Sequence, residues 1–262
     1  MRSRVWILLV AVVAGMLSGC DRDKSVAVQE KAAAPATQAV PLDVPPNTLT
    51  DAEKAAGWKL LFDGKTTHGW RGYRKPTCPD GWKVVDGNLD RVEHVGDLIT
   101  IDKYASFELV ADWRISHAGN SGIMYHITEE YPEPGMSGPE YQVLDNGVSP
   151  DPTLAGWCYG LYKPAIDPNT GKPLDTTHPA GQWNHSRILI DGTHITHWMN
   201  GVKYVKYDLW SDDWNKRVAA SKFAQWPNFA KAKTGYICLQ DHGDEVAYKN
   251  IKIRVIDAPT EK

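Results

Sequence analysis

The sequence predicts an all-β protein, a two-sheet antiparallel jelly-roll sandwich with short helical segments. Three observations carry that reading. Residues 107–115 alternate with period two, placing Phe107, Leu109, Ala111, Trp113 and Ile115 on one side of a strand. Between Arg187 and Leu209, three alternating segments are separated by Asp191-Gly192 and Asn200-Gly201, dipeptides that accept the positive φ angles of tight hairpin turns. Further short strand-like runs follow one another with turn residues between them, and only 211–231 looks helical, in pieces interrupted by Pro227.

Taken in chain order, Arg2 and Arg4 precede an apolar run from Val5 to Leu17, long enough for a signal-peptide core and too short to span a bilayer comfortably. Leu17-Ser18-Gly19-Cys20 resembles the lipobox of bacterial lipoproteins. Residues 1–19 are therefore expected to be a lipoprotein signal peptide, with Cys20 the acylated first residue of the mature chain. Its acyl chains would make the membrane a partner and place the protein at the cell envelope, on the periplasmic side or outer surface. Residues 20–50 are rich in Ala, Pro, Gln and Val and hold no aromatic residue, a composition that reads as a tether. Residues 51–262 show no internal linker or fixed-period repeat, so one domain is expected. Losing Arg2 and Arg4 takes the formal charge from −3 to −5, which offers nucleic acid no electrostatic footprint.

Strands are predicted at 58–62, 82–86, 107–115, 121–127, 139–144, three within 187–209, then 235–240 and 246–255. Cys238, in the apolar run Tyr236-Ile237-Cys238-Leu239, reads as a small core residue. Cys78 and Cys158 fall in loop-like contexts, and spacing alone does not establish a bond between them.

Eleven Trp and eleven Tyr stand against four Phe, a balance that suits sugar faces, whose C–H groups stack on rings while hydroxyls find polar tips. Most such rings pack a core, but Trp157, Tyr159 and Tyr162 crowd a Gly-containing loop and are candidates for ligand contact. Polar residues also sit inside strand patterns. Glu140 shares a face with Gln142, Asp112 with Arg114, Met124 with His126, and Gln240 with His242, each opposite its strand's more apolar set. Alone, Asp112–Arg114 is an ordinary solvated pair and His126 an ordinary surface residue. If the strands are neighbours, their polar faces converge on one site, because unpaired charge and amides gathered together cost stability unless they serve a ligand. Asn120 belongs to the same polar stretch, whereas Asp145 and Asp241 have the wrong parity and belong to strand ends, bulges or turns.

At these residues a resemblance emerges. Leu61-Phe62-Asp63-Gly64-Lys65 with Gly69-Trp70, Gly119-Asn120-Ser121-Gly122-Ile123, Glu140-Tyr141-Gln142-Val143-Leu144-Asp145, Trp183-Asn184, His197-Trp198-Met199-Asn200-Gly201 and Leu239-Gln240-Asp241-His242-Gly243 together resemble the DUF1080, or 3-keto-disaccharide hydrolase domain, family. The likeness covers nearly all of 57–256 and implies a concanavalin A-like lectin/glucanase fold acting on 3-keto-glycosides. A ketone at C3 acidifies the C2 proton, so a general base can remove it, the C1 substituent can leave by elimination, and water can add to the enone. On this reading Glu140 or His242 is the base, Asp241 a further catalytic candidate, and Arg114, Gln142 and Gln240 contact the ligand or enolate. Asp112, Asn120, His126, Asp145, Trp157 and Tyr159 complete the candidate substrate contacts.

Other chemistries compete. Glu140 with Asp112, Asp145 or Asp241 would supply the carboxylate pair of a conventional glycosidase. No cofactor is evident, and a divalent metal polarising the ketone stays open because no ligand spacing is diagnostic. The alternative outside enzymology is a lectin-like carbohydrate-binding lipoprotein, which has little use for Glu140, Asp112 and His242 together.

Overall fold

The computed structural model describes residues 44–256. The predicted signal peptide, Cys20 and most of the predicted tether lie outside the described residues. Within 44–50, Asn47 is buried and exchanges hydrogen bonds with Asn250, its N–H donating to Asn250 Oδ1 and its Oδ1 accepting from Asn250 N–H, both at 2.7 Å.

Thr50 caps a short helix α1 (Asp51–Ala55) through a reciprocal capping box with Glu53. Thirteen strands follow: β1 (Trp58–Leu60), β2 (Trp70–Gly72), β3 (Trp82–Val85), β4 (Asn88–Arg91), β5 (Leu98–Thr100), β6 (Phe107–Ile115), β7 (Asn120–Ile127), β8 (Glu140–Leu144), β9 (Asn184–Asp191), β10 (His194–Met199), β11 (Val202–Asp208), β12 (Tyr236–Leu239) and β13 (Val246–Val255). Helix α2 (Asp212–Ala219) and a 3₁₀ turn at Lys222–Gln225 occupy the segment expected to be helical. Among the described residues no helix is long and apolar enough to cross a membrane.

The strands form the expected sandwich of two antiparallel sheets. One runs β11-β10-β9-β6-β13-β4-β3, with β1 also paired to β13; the other runs β2-β5-β12-β7-β8. The odd residues of β6 pack inward with Ile123, Tyr125, Tyr141, Val143, Ile237 and Leu239 of the smaller sheet, so alternation along each strand builds the core between the sheets. At Asn200-Gly201 both residues take positive φ, as a type I′ turn requires, whereas at the preceding hairpin only Gly192 does.

That core holds a polar chain. The buried Nδ1 of His197 lies 3.2 Å from the Gly156 carbonyl, which fixes Nδ1 as the protonated nitrogen and leaves Nε2 to accept from the Tyr125 hydroxyl at 2.9 Å. Burial drives His197 down to about 3, so it is a neutral structural group. Cys78, Cys158 and Cys238 are free thiols. Cys238 is a buried packing residue, but it packs with Ile99, Met124 and Ile127 on the outer face of the smaller sheet, away from the inter-sheet core.

Candidate active site

The outer face of the five-stranded sheet carries a cavity of about 460 Å³, within the range of small-molecule sites. Its floor follows from register. Ile99 pairs with Cys238, Cys238 with Met124, and Met124 with Glu140. Two residues along, Gln240 donates its N–H to the Gly122 carbonyl at 2.9 Å and Gly122 pairs with Gln142. Period two therefore delivers Glu140, Gln142, Gln240 and Asn120 to one face, as the alternation predicts. The 3₁₀ turn at Pro134–Met136 and the segment Lys222–Trp226 wall the cavity.

Glycine at 122 makes room for the central carboxylate: a Cβ there would come within 2.4 Å of Glu140 Oε1. The Glu140 carboxylate has no hydrogen-bond partner among the described residues and opens to the cavity. Burial pushes it up to about 8; Lys222 pulls against that shift, and the charges of Asp97 and Asp151 add to it. Three amide oxygens lining the cavity, Gln142 Oε1, Gln240 Oε1 and Asn120 Oδ1, are enclosed with no protein partner among the described residues. Gln142 Nε2 reaches the Thr153 carbonyl only at 3.4 Å. Such unsatisfied groups are costly in a structural face and ordinary in one shaped for hydroxyls.

The remaining candidates separate. Tyr159 lines the cavity with Lys222 Nζ 4.3 Å from its ring centroid, and His242 stands exposed at the rim. Asp241 also lines the cavity, but its carboxylate is consumed. It forms an ion pair with Arg91 Nε at 2.6 Å that is a close approach rather than an aligned hydrogen bond. It also meets His94 Nδ1 at 2.9 Å and accepts the N–H groups of Val95, Gly96 and Gly243. Burial pushes Asp241 up, yet these hydrogen bonds and the Arg91 charge prevail and hold it below the usual range. It organises the 94–97 loop.

Six candidates fall outside the cavity. Asp112 and Arg114 belong to β6, in the other sheet, so their face never meets that of β7 and β8. Asp112 pairs with His185 Nδ1 and Asn250 Nδ2, both at 2.6 Å, and the Arg114 guanidinium lies 4.9 Å from the Trp183 ring centroid. His126 misses the site because β7 bulges there. Its φ is +54°, and two residues of β7, Tyr125 and His126, oppose one of β12, Ile237, between Ile127↔Tyr236 and Met124↔Cys238. The bulge puts Met124 and Ile127 together on the outer face and sends His126 Nε2 to the Ala105 carbonyl at 2.7 Å, edge-on to Phe107. Asp145 holds a turn through the N–H groups of Ala118 and Gly147. Trp157 lines a separate pocket with Pro152, Leu161 and Arg217, and Tyr162 stacks on Tyr207 at 4.6 Å.

Asp97, His94, Glu133, Lys222 and Trp226 line the cavity without having been read from the sequence. They lie outside the strands, where no periodicity marks a face. Among the described residues no group of three or more His, Cys, Asp or Glu side chains is arranged to hold a metal ion.

Residues 57–254 match the profile of the 3-keto-alpha-glucoside-1,2-lyase-like domain. The chain belongs to that family. A 3-keto-disaccharide hydrolase from Bacteroides thetaiotaomicron is 35% identical over 238 residues, covering 78% of this chain and 80% of that protein. A crystal structure from Parabacteroides distasonis, described as a glycosyl hydrolase, superposes with a TM-score of 0.75 at 34% identity, covering 81% of this chain and 100% of that one. A second structure from the same organism, described in the same words, gives 0.54 at 28% identity over 76% and 99%. The fold and the family are those of a carbohydrate hydrolase.

Proposed function

We propose that this family member cleaves 3-keto-glycosides by C2 proton abstraction, elimination at C1 and hydration, in the cavity over Glu140. The observation that carries the reading is the isolated Glu140 carboxyl, surrounded by unpartnered amides in a chain of this family. At about 8, Glu140 is roughly nine-tenths protonated at neutral pH. That state suits an acid giving its proton to the departing glycosidic oxygen, rather than the base, for which the sequence offered Glu140 or His242. The free amide oxygens accept sugar hydroxyls, and Gln142 Nε2, weakly held by Thr153, has N–H capacity for the enolate oxygen that develops from the C3 ketone. Tyr159 and Trp226 offer ring surface at the cavity wall.

The test is aglycone release from a 3-keto-glucoside and from its unoxidised parent, with absorbance of the enone followed in the same cuvette. Release from the keto sugar alone, with transient enone, is the expected result. Equal release from the parent without enone would replace this chemistry with that of a conventional glycosidase. The envelope location is a proposal on the same footing, supported by the leader pattern ending at Cys20. Cys20→Ala is expected to move the protein from the membrane fraction to the soluble one; an unchanged distribution would remove the anchor.

A further inference from the structure

Elimination needs a base at C2 as well as an acid at the leaving oxygen, and Glu140 supplies only one of them. We propose that Asp97 is the base that removes the C2 proton, an assignment that rests on the 3-keto-glycoside reading above.

Asp97 immediately precedes β5, one residue beyond the pair Leu98↔Leu239, so the register sets it beside Gln240 in the row Gln240–Gly122–Gln142. Glu140 stands on β8, three inter-strand steps away and two residues along, about 16 Å between backbones at the usual strand spacing and rise. The two carboxyls therefore rise from opposite sides of a floor that Gly122 leaves open, and both line the same cavity. Asp97 Oδ1 is pinned at 2.9 Å by the Asp241 N–H, while Oδ2 has no hydrogen-bond partner among the described residues. A base held on one oxygen and bare on the other is oriented for proton transfer. Asp241 cannot serve, because Arg91, His94 and three backbone N–H groups occupy it. His242 is exposed, and no hydrogen bond holds its ring among the described residues.

The protons balance over a full turn. Asp97 takes the C2 proton, the C–H electron pair forms the enolate and then the C1=C2 bond, and the C1–O bond breaks as Glu140 protonates the leaving oxygen. Water then adds to C1, giving a proton to the Glu140 carboxylate while Asp97 returns its own to C2. Both side chains end as they began. Electrostatics agree with this division. Burial raises Asp97 to about 6, the Asp241 N–H opposing and the Asp241 and Glu133 charges adding, so it is largely ionised where Glu140 is largely protonated.

The experiment is C2 hydrogen–deuterium exchange of a 3-keto-glucoside in D₂O, read by NMR, with aglycone release measured in parallel. The variants are Asp97→Asn, Glu140→Gln and His242→Gln. Asn keeps an oxygen for the Asp241 N–H, and melting temperature monitors folding. Expected is loss of exchange above background and at least a 100-fold loss of release in Asp97→Asn, even with a nitrophenyl leaving group. Glu140→Gln should retain exchange and lose most release of a poor leaving group, the nitrophenyl aglycone being least affected. Exchange surviving in Asp97→Asn, or lost in His242→Gln instead, would overturn the assignment alone. A wild-type enzyme that neither exchanges nor cleaves the keto sugar would overturn the underlying reading as well.

Discussion

The outer faces of the two sheets were built by the same alternation and ended differently. On the eight-stranded sheet, the outward residues of β6 are matched: Glu108 meets Arg187 Nε at 2.5 Å and also Arg254, and Asp112 meets His185 and Asn250. On the five-stranded sheet, the Glu140 carboxylate and the oxygens of Gln142, Gln240 and Asn120 have no protein partner among the described residues. Polar residues inside strands therefore do not by themselves mark a site. What distinguishes the two faces is whether the protein satisfies its own polar groups, because a stable face closes its hydrogen bonds and a binding face leaves them for the ligand.

This contrast can be broken from either side, and the largest expected effect is on the unpaired face. Glu140→Gln should lower kcat/KM on a 3-keto-glucoside with a poor leaving group by about 10²- to 10⁴-fold, the usual worth of one proton-transfer group. It should also remove a pH-dependent liability. Glu140 is raised in the folded state to about 8 from an ordinary 4.5, so its contribution to stability is fully present below pH 4.5 and is lost as pH rises through 8. The variant should therefore melt above wild type at pH 8–9, with the gap shrinking toward pH 4–5 in parallel thermal scans. On the paired face the opposite signature is expected. Glu108→Gln leaves two guanidiniums without their carboxylate and should cost about 3 kcal/mol in urea unfolding, with turnover per folded molecule unchanged. Gly122→Ala sharpens the comparison within the site. Its Cβ would lie 2.4–2.9 Å from Glu140 Oε1, Cδ and Cγ and must push that side chain aside, so kcat/KM should fall about tenfold. The smallest effect belongs to Arg114→Ala, which loses one cation–π contact with Trp183, about 0.5–1 kcal/mol, and no activity.

Much of the fold was legible because its signals are local. The alternation of β6, broken only at Val110, and the Asn200-Gly201 turn declare themselves without tertiary context. Strands β2, β4 and β5, of three or four residues each, did not. The site divides along the same line. Parity correctly grouped Glu140 with Gln142 and brought Gln240 and Asn120 to the same cavity. It failed at His126, where a single bulge residue reverses the side that follows, and at Asp112 and Arg114, where alternation gives a strand's faces but not the sheet it joins. Asp97, His94 and Lys222 lie in loops and on a short 3₁₀ turn, and reach the cavity through contacts between segments far apart in the chain.

The most direct test compares Glu140→Gln with Glu108→Gln, two isosteric neutralisations of outward-facing strand carboxylates, measuring kcat/KM on a 3-keto-glucoside with a poor leaving group and unfolding free energy for each. The first should lose activity by at least 100-fold without losing stability, and the second should lose stability without losing activity. Turnover of Glu140→Gln within twofold of wild type would contradict the placement of the active site on the five-stranded sheet.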